Sequence, residues 1–305
     1  MAAADYDEFG MLGDNAAEAG IRFDRAPVVA RRSFAVHAGQ RVSAISWHSA
    51  LPELVLLHGG GQNAHTWDTV ALALARPLIA IDLPGHGHSD RRADRDYGPW
   101  RNADAVAAVL DQVHSRWPGR GLAAVGTSLG GVTAIRLAAT RPDLVRRLVV
   151  VDVTPQAHER ARQLSQPDRG AVAPMSEPPG YDTFEQMAHA AVAASPRRPR
   201  SAVERGVRHN AVQRPDGSWA WRHDLRGCPL SGTDLTALWA DVARLPMPVM
   251  LVRGGASGFV PDADAQRFRE LQPDVRIEVV PDSGHAVQSD QPLALTRLIT
   301  DFAAG

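Results

Sequence analysis

Cysteine is nearly absent: Cys228 stands alone among 305 residues. One thiol cannot close an internal disulfide, so nothing points to secretion, and the cytoplasm is the expected compartment. No excess of charge exists either. The formal net charge is -1, which leaves no field to gather nucleic acid or an anionic membrane. Long hydrophobic runs are missing too, the longest falling far short of the ~20 residues that span a bilayer. The opening stretch, MAAADYDEFGMLGDNAAEAG, is acidic and lacks the apolar region of a signal peptide. No segment recurs at a period of about 20–50 residues, which excludes a solenoid or propeller.

What is present is ordinary for a globular protein: 44% hydrophobic and 22% charged residues. The length suits an α/β domain carrying an insertion. One local departure is the arginine-rich PRRPRSAVERGVR, from Pro196 to Arg208, which reads as a solvated turn and helix face.

Residues 1–25 read as an extension in which Phe9, Leu12 and Ala16 share one helical face. SFAVHAG (33–39) and RVSAISW (41–47) alternate as two antiparallel strands. Apolar strands then alternate with helical patterns. The strands are 54–59, 77–85, 122–128, 146–154, 249–255 and 276–284; the helices are 66–75, 102–117, 129–142, 262–272 and 291–303. Continuous apolar strands between helices imply a mostly parallel, eight-stranded sheet covered on both faces. From 155 to 245 the alternation breaks, and Pro, Arg, His and Trp accumulate. A core of 26–154 and 246–305, with a mainly helical cap of 155–245 inserted after the sixth strand, is therefore expected.

Ligand sites in such sheets lie beyond the carboxyl ends of the strands. At one of these ends stands GTSLGG, Gly126–Gly131. A serine on a tight strand-to-helix turn projects its hydroxyl from the sheet, and small neighbours let the turn form. Ser128 is thus the expected nucleophile. Leu129, the next residue, would supply one backbone N–H to an oxyanion, and the loop HGGGQNAHTW (58–67) a second, from Gly60 or, failing that, Gly61. His58 reads as a structural hydrogen-bonder, as do His86 and His88 in DLPGHGHSD. His285, in PDSGHAVQSDQP beyond the last strand, is the expected general base. His209 and His223 fall in the insertion, where they can line a pocket. So can Trp219, Trp221 and Trp239, read as either cap core or substrate-binding residues; Met175 and Met187 are equally ambiguous.

HGGG at 58–61, DLPGHGHS at 82–89, GTSLGG at 126–131 and SGH at 283–285 resemble the α/β-hydrolase superfamily over residues 33–303. Within it, HGGGQNAHTWD, VDVTP, WAWRHD and LVRGGASGFV are similar to bacterial serine carboxylesterases. The resemblance implies the α/β-hydrolase fold and hydrolysis of small-molecule carboxylic esters with small acyl groups, without cofactor or metal. It also leaves room for a hydrolase of carbon–carbon bonds in diketone-like substrates. Ser128 argues against the superfamily's epoxide hydrolases and haloalkane dehalogenases, which use an aspartate nucleophile.

One departure stands out. Most members carry the acid of the triad after the strand that here is VMLVRGG, yet Gly255-Ala256-Ser257-Gly258 holds no carboxylate. Three arrangements stay open. Asp152, at the end of VVVDVTP, can serve from the neighbouring strand. Asp262 follows Pro261 but sits better as a helix N-cap. Or no acid exists, and Ser257 or water orients His285; that case would suit a ligand-sensing protein on a degenerate fold. Asp282, next to His285 in sequence, is expected to face solvent.

Overall fold

The computed structural model describes residues 6–115, 121–164, 180–224 and 234–304. Met175, Cys228 and the expected end of the 102–117 helix lie outside them. Ten strands are described. β1 (Val29–Ala35), β2 (Arg41–Trp47), β3 (Leu54–Leu57), β4 (Leu78–Ile81), β5 (Leu122–Thr127), β6 (Val145–Val151), β9 (Val249–Gly254) and β10 (Arg276–Val280) form one sheet in the order β1-β2-β4-β3-β5-β6-β9-β10. β2 runs antiparallel to β1 and β4, and the remaining pairs are parallel. β7 (Ala211–Gln213) and β8 (Trp219–Trp221) make a separate hairpin in the insertion.

The central strands are buried on both faces because their side chains are apolar at every position. Leu54, Val55, Leu56 and Leu57 are all 0% exposed, which a half-solvated strand could not be. Helices α3 (Pro99–His114), α4 (Leu129–Thr140), α8 (Trp239–Ala243) and α9 (Asp262–Leu271) pack one face. Helices α1 (Leu12–Glu18), α2 (Asp68–Leu74) and α11 (Pro292–Ala304) pack the other. β3 hands on to β4 on one side, while β5 lies on the other. The side on which successive strands are added therefore switches between β3 and β5, both parallel, and a crevice opens at their carboxyl ends.

Between β6 and α8 come α5 (Ala157–Gln163), α6 (Phe184–Ala193), α7 (Arg200–Asn210) and the β7–β8 hairpin. Residues 180–224 have their own small core of Met187, Ala188, Val203, Val207 and Ala211, with Phe184 and Trp219 packed on it. Leu235, Leu238, Trp239 and Val242 instead join the main core beneath α4. The expected cap of 155–245 is thus too long at its far end. No helix among the described residues is long and apolar enough to cross a membrane.

The described part of the N-terminal extension forms the short helix α1 and packs on the core. Leu12 and Ala16 are 6% and 0% exposed against α2, as their shared helical face demands. Asn15 Oδ1 accepts a hydrogen bond from the Thr69 hydroxyl at 2.8 Å. Glu8 pairs with Arg31 and accepts from His65 Nε2 at 3.1 Å. Two further contacts reach α7: the Tyr6 hydroxyl donates to His209 Nδ1 at 2.6 Å, and Arg205 donates to Glu18 at 2.6 Å.

His65 is the centre of this network. Burial by itself would lower its pKa, but the Asp68 and Glu8 carboxylates on its two nitrogens hold it up at about 9. Its ordinary value is 6.5, so between about 6.5 and 9 the native state holds a proton that the unfolded state has lost. The resulting stability is complete below the lower value and is lost as pH rises through the upper one. Denaturant midpoints measured across this window should fall with increasing pH, and His65→Gln should flatten that component of the slope.

Candidate active site

Ser128 follows β5 at φ 51° and ψ −119°, a conformation that a non-glycine residue holds only when its surroundings impose it. The glycines around it make the turn possible. A Cβ at Gly126 would lie 2.3 Å from the Gly130 carbonyl oxygen, and one at Gly130 would lie 2.2 Å from that of Leu57. Gly131 is closed against Val153 in the same way, at 2.5 Å. Small residues here let helix α4 seat against β3 and β6, with its positive end at Ser128.

The loop after β3 passes beside the serine. A Cβ at Gly59 would be 3.2 Å from Ser128 Cβ. The Gly59 N–H is already donated to Gln62 Oε1 at 2.9 Å, while no acceptor among the described residues takes the N–H of Gly60, Gly61 or Leu129. His58 braces this loop. Its Nδ1–H donates to the Gly59 carbonyl at 2.8 Å, and its Nε2 accepts the Leu83 N–H at 2.9 Å. Burial pushes its pKa down to about 3, so it stays neutral in the one tautomer these bonds allow.

His285 and Asp152 meet across two loops. His285 Nδ1 lies 2.9 Å from Asp152 Oδ2. Asp152 is 0% exposed and sits at φ 50° just beyond β6. Its other oxygen, Oδ1, accepts the Gly254 N–H at 2.9 Å, while the Ser257 hydroxyl donates to Oδ2, the oxygen that faces His285. A carboxylate from beyond the neighbouring strand thus reaches His285, and Ser257 bonds that carboxylate rather than His285. Phe259, from the same loop, stacks on the His285 ring at 3.7 Å between centroids. His285 Nε2 is buried and has no hydrogen-bond partner among the described residues.

The other acids are elsewhere. The Asp262 side chain is 95% exposed and pairs with Arg253 at 2.8 Å. It is the first residue of α9 and makes no capping bond, so it is not the expected N-cap. Asp282 is exposed.

Ser128, His285 and Gly59–Gly61 share a cavity of about 290 Å³. Trp221, His209 and His223 line it, but Trp219 and Trp239 do not. Trp219 is turned onto Phe184 in the cap core. Trp239 lies in the main core, edge-on to Phe268 and donating its indole N–H to Gln156 at 3.2 Å. Met187 is 0% exposed in the cap core. Sequence reasoning weighed Ser257 only as a stand-in for the acid, and missed Phe259 and the N-terminal wall of Glu8, Met11, Leu12 and Asn15. No motif marks them, and only packing brings them here. Nor is the arginine run a plain solvated face: Arg197, Arg198 and Arg205 border the cavity, and Arg198 lies 3.6 Å from Asp290.

Among the described residues one group has the spacing of a metal site. His65, Asp68 and His209 each place a ligand atom within 4.8 Å of the others. Both nitrogens of His65 are already given to carboxylates, and its ring stacks 3.7 Å from that of His209, only 9° from parallel. An ion lying in the plane of one ring would sit well out of the plane of the other. The proton on His65 supplies the positive charge that this cluster needs.

Residues 54–298 match the model of the alpha/beta hydrolase family. The chain is 45% identical over 294 residues to the esterase Rv0045c of Mycobacterium tuberculosis, covering 96% of this chain and 94% of that one. It is 29% identical to the 2-(acetamidomethylene)succinate hydrolase of Mesorhizobium japonicum, over 82% of this chain and 87% of that one. A solved structure of Rv0045c, from work on its inhibition by transition metals, superposes with a TM-score of 0.85 at 43% identity, covering 99% of this chain and 100% of that one. The fold, the crevice at the switch between β3 and β5 and the serine turn agree with these matches, and the chain belongs to the alpha/beta hydrolase family.

Proposed function

We propose that this protein is a serine carboxylesterase acting on small-molecule esters, with Ser128, His285 and Asp152 as its triad. The observation that carries the reading is the buried hydrogen bond between His285 Nδ1 and Asp152, made beside a serine held at positive φ. The esterase relative, at 45% identity over nearly the whole chain, supports the same reaction.

His285 Nε2 takes the Ser128 proton as Oγ attacks the ester carbonyl, and Asp152 fixes the tautomer and steadies the imidazolium. The N–H groups of Leu129 and Gly60, with Gly61 beside them, receive the developing oxyanion. Collapse expels the alcohol with the proton from Nε2. Water, activated by the same imidazole, then releases the acid from Ser128. The cavity is near the small end of ligand pockets, roughly 300 Å³ upward, which favours a small ester. A triad of this form also serves carbon–carbon bond hydrolysis, so a diketone substrate belongs beside the esters in the assay.

Ser128→Ala should abolish both turnover of nitrophenyl esters and labelling by a fluorophosphonate probe. Asp152→Asn should lower kcat by about 10⁴; near wild-type turnover in that variant would sink the assignment of the acid. Ser257→Ala removes one charge-assisted hydrogen bond from Asp152, an effect of about 1.5–3 kcal/mol, and so should cost about tenfold or more in kcat with little change in KM. Steady-state kinetics on the purified variants reads both numbers.

A further inference from the structure

Two elements bring apolar residues to the cavity wall, between polar ones such as Asn15 and Arg205. Met11 and Leu12 come from the N-terminal segment, and Ala202, Val203, Gly206 and Val207 from α7. The family match begins at residue 54, so the first of these elements lies outside it. Glu8, His65, Asp68 and His209 border the same region, but each is already engaged by Arg31, another member of the cluster or Tyr6. They leave no charge waiting for a ligand.

Gly206 is out of place by ordinary helix chemistry. It lies inside α7, where glycine costs about 1 kcal/mol relative to alanine. Its φ is not in the left-handed region, and a Cβ added there would meet nothing within 4 Å. Neither backbone conformation nor close packing therefore requires glycine. Gly206 is exposed, and its helical neighbours Ala202 and Asn210, four residues to either side, also line the cavity, so the missing side chain leaves its space where the cavity opens to solvent.

We propose that the space between α1 and α7 is a subsite for an unbranched apolar chain of the ester, and that Met11 and Gly206 set the chain length it accepts. The inference rests on the esterase reading and extends it to a substrate class. The N-terminal segment is then a specificity element, held over the cavity by its bonds to His209 and Arg205.

Two ester series test it on the full-length protein: nitrophenyl esters of increasing acyl length, and acetates of increasing alcohol length. Gly206→Leu should lower kcat/KM for the longer members relative to the shortest, by about fourfold per methylene displaced. Met11→Ala should move the profile the other way. The series that responds identifies which side of the ester occupies the subsite. Should the leucine variant fail to fold, Gly206→Ala, a better helix former than the native residue, carries the same test with Met11→Ala. Wild-type profiles in every variant, with Ser128 still labelled by the fluorophosphonate probe, would overturn the subsite and leave the esterase reading standing. A wild-type protein that neither labels nor hydrolyses any ester would remove both.

Discussion

A buried carboxyl group is costly unless its oxygens find hydrogen-bond partners, and Asp152 is wholly buried. Its oxygens receive the Gly254 N–H from β9, the Ser257 hydroxyl from the loop beyond it, and His285 Nδ1 from the loop beyond β10. Three neighbouring segments of the sheet edge are thereby pinned to one anion. The His285 ring has one face against Phe259 and one nitrogen on Asp152, and its Nε2 has no hydrogen-bond partner among the described residues. The orientation of the His285 ring is thus set by satisfying the buried carboxyl group of Asp152.

The same logic organises the opposite side of the cavity. Glu8, Arg31, His65, Asp68 and Asp82 are mutually compensated, and Asp82 holds the turn after β4 by accepting the N–H groups of Ala64 and His88. All 33 basic side chains are arginines. Their planar forks suit the paired contacts seen at Arg92–Asp94, Arg141–Asp111 and Arg160–Asp264. Charges near the substrate are held in place, and the apolar wall between α1 and α7 is left to select the substrate by shape.

Legibility in the sequence followed the range of the interaction. Period and punctuation located the eight sheet strands and the long helices to within a few residues, because burial on both faces shows as an apolar run. The tight turn at Ser128 was legible because its glycines fall in one short stretch, although only Gly126 is closed by the turn itself; Gly130 is closed by Leu57 at the end of β3. Tryptophan roles were not: Trp239 and Trp221 carry the same chemistry, and only packing sends one to the main core and the other to the cavity.

By itself, the sequence determined the sheet, the tight turn that carries Ser128, the place of His285 beyond the last strand, and the absence of an acid from loop 254–258. It also put Asp152 at a strand end, among alternatives. Only the tertiary structure decided that Asp152 reaches His285, that Ser257 bonds the acid rather than the base, and that residues 6–18 close the cavity. The physical reason is distance along the chain. His285 and Asp152 are 133 residues apart, and Tyr6 and His209 are 203 apart. No local pattern records such pairings; they exist once the sheet has brought its strand ends to one edge.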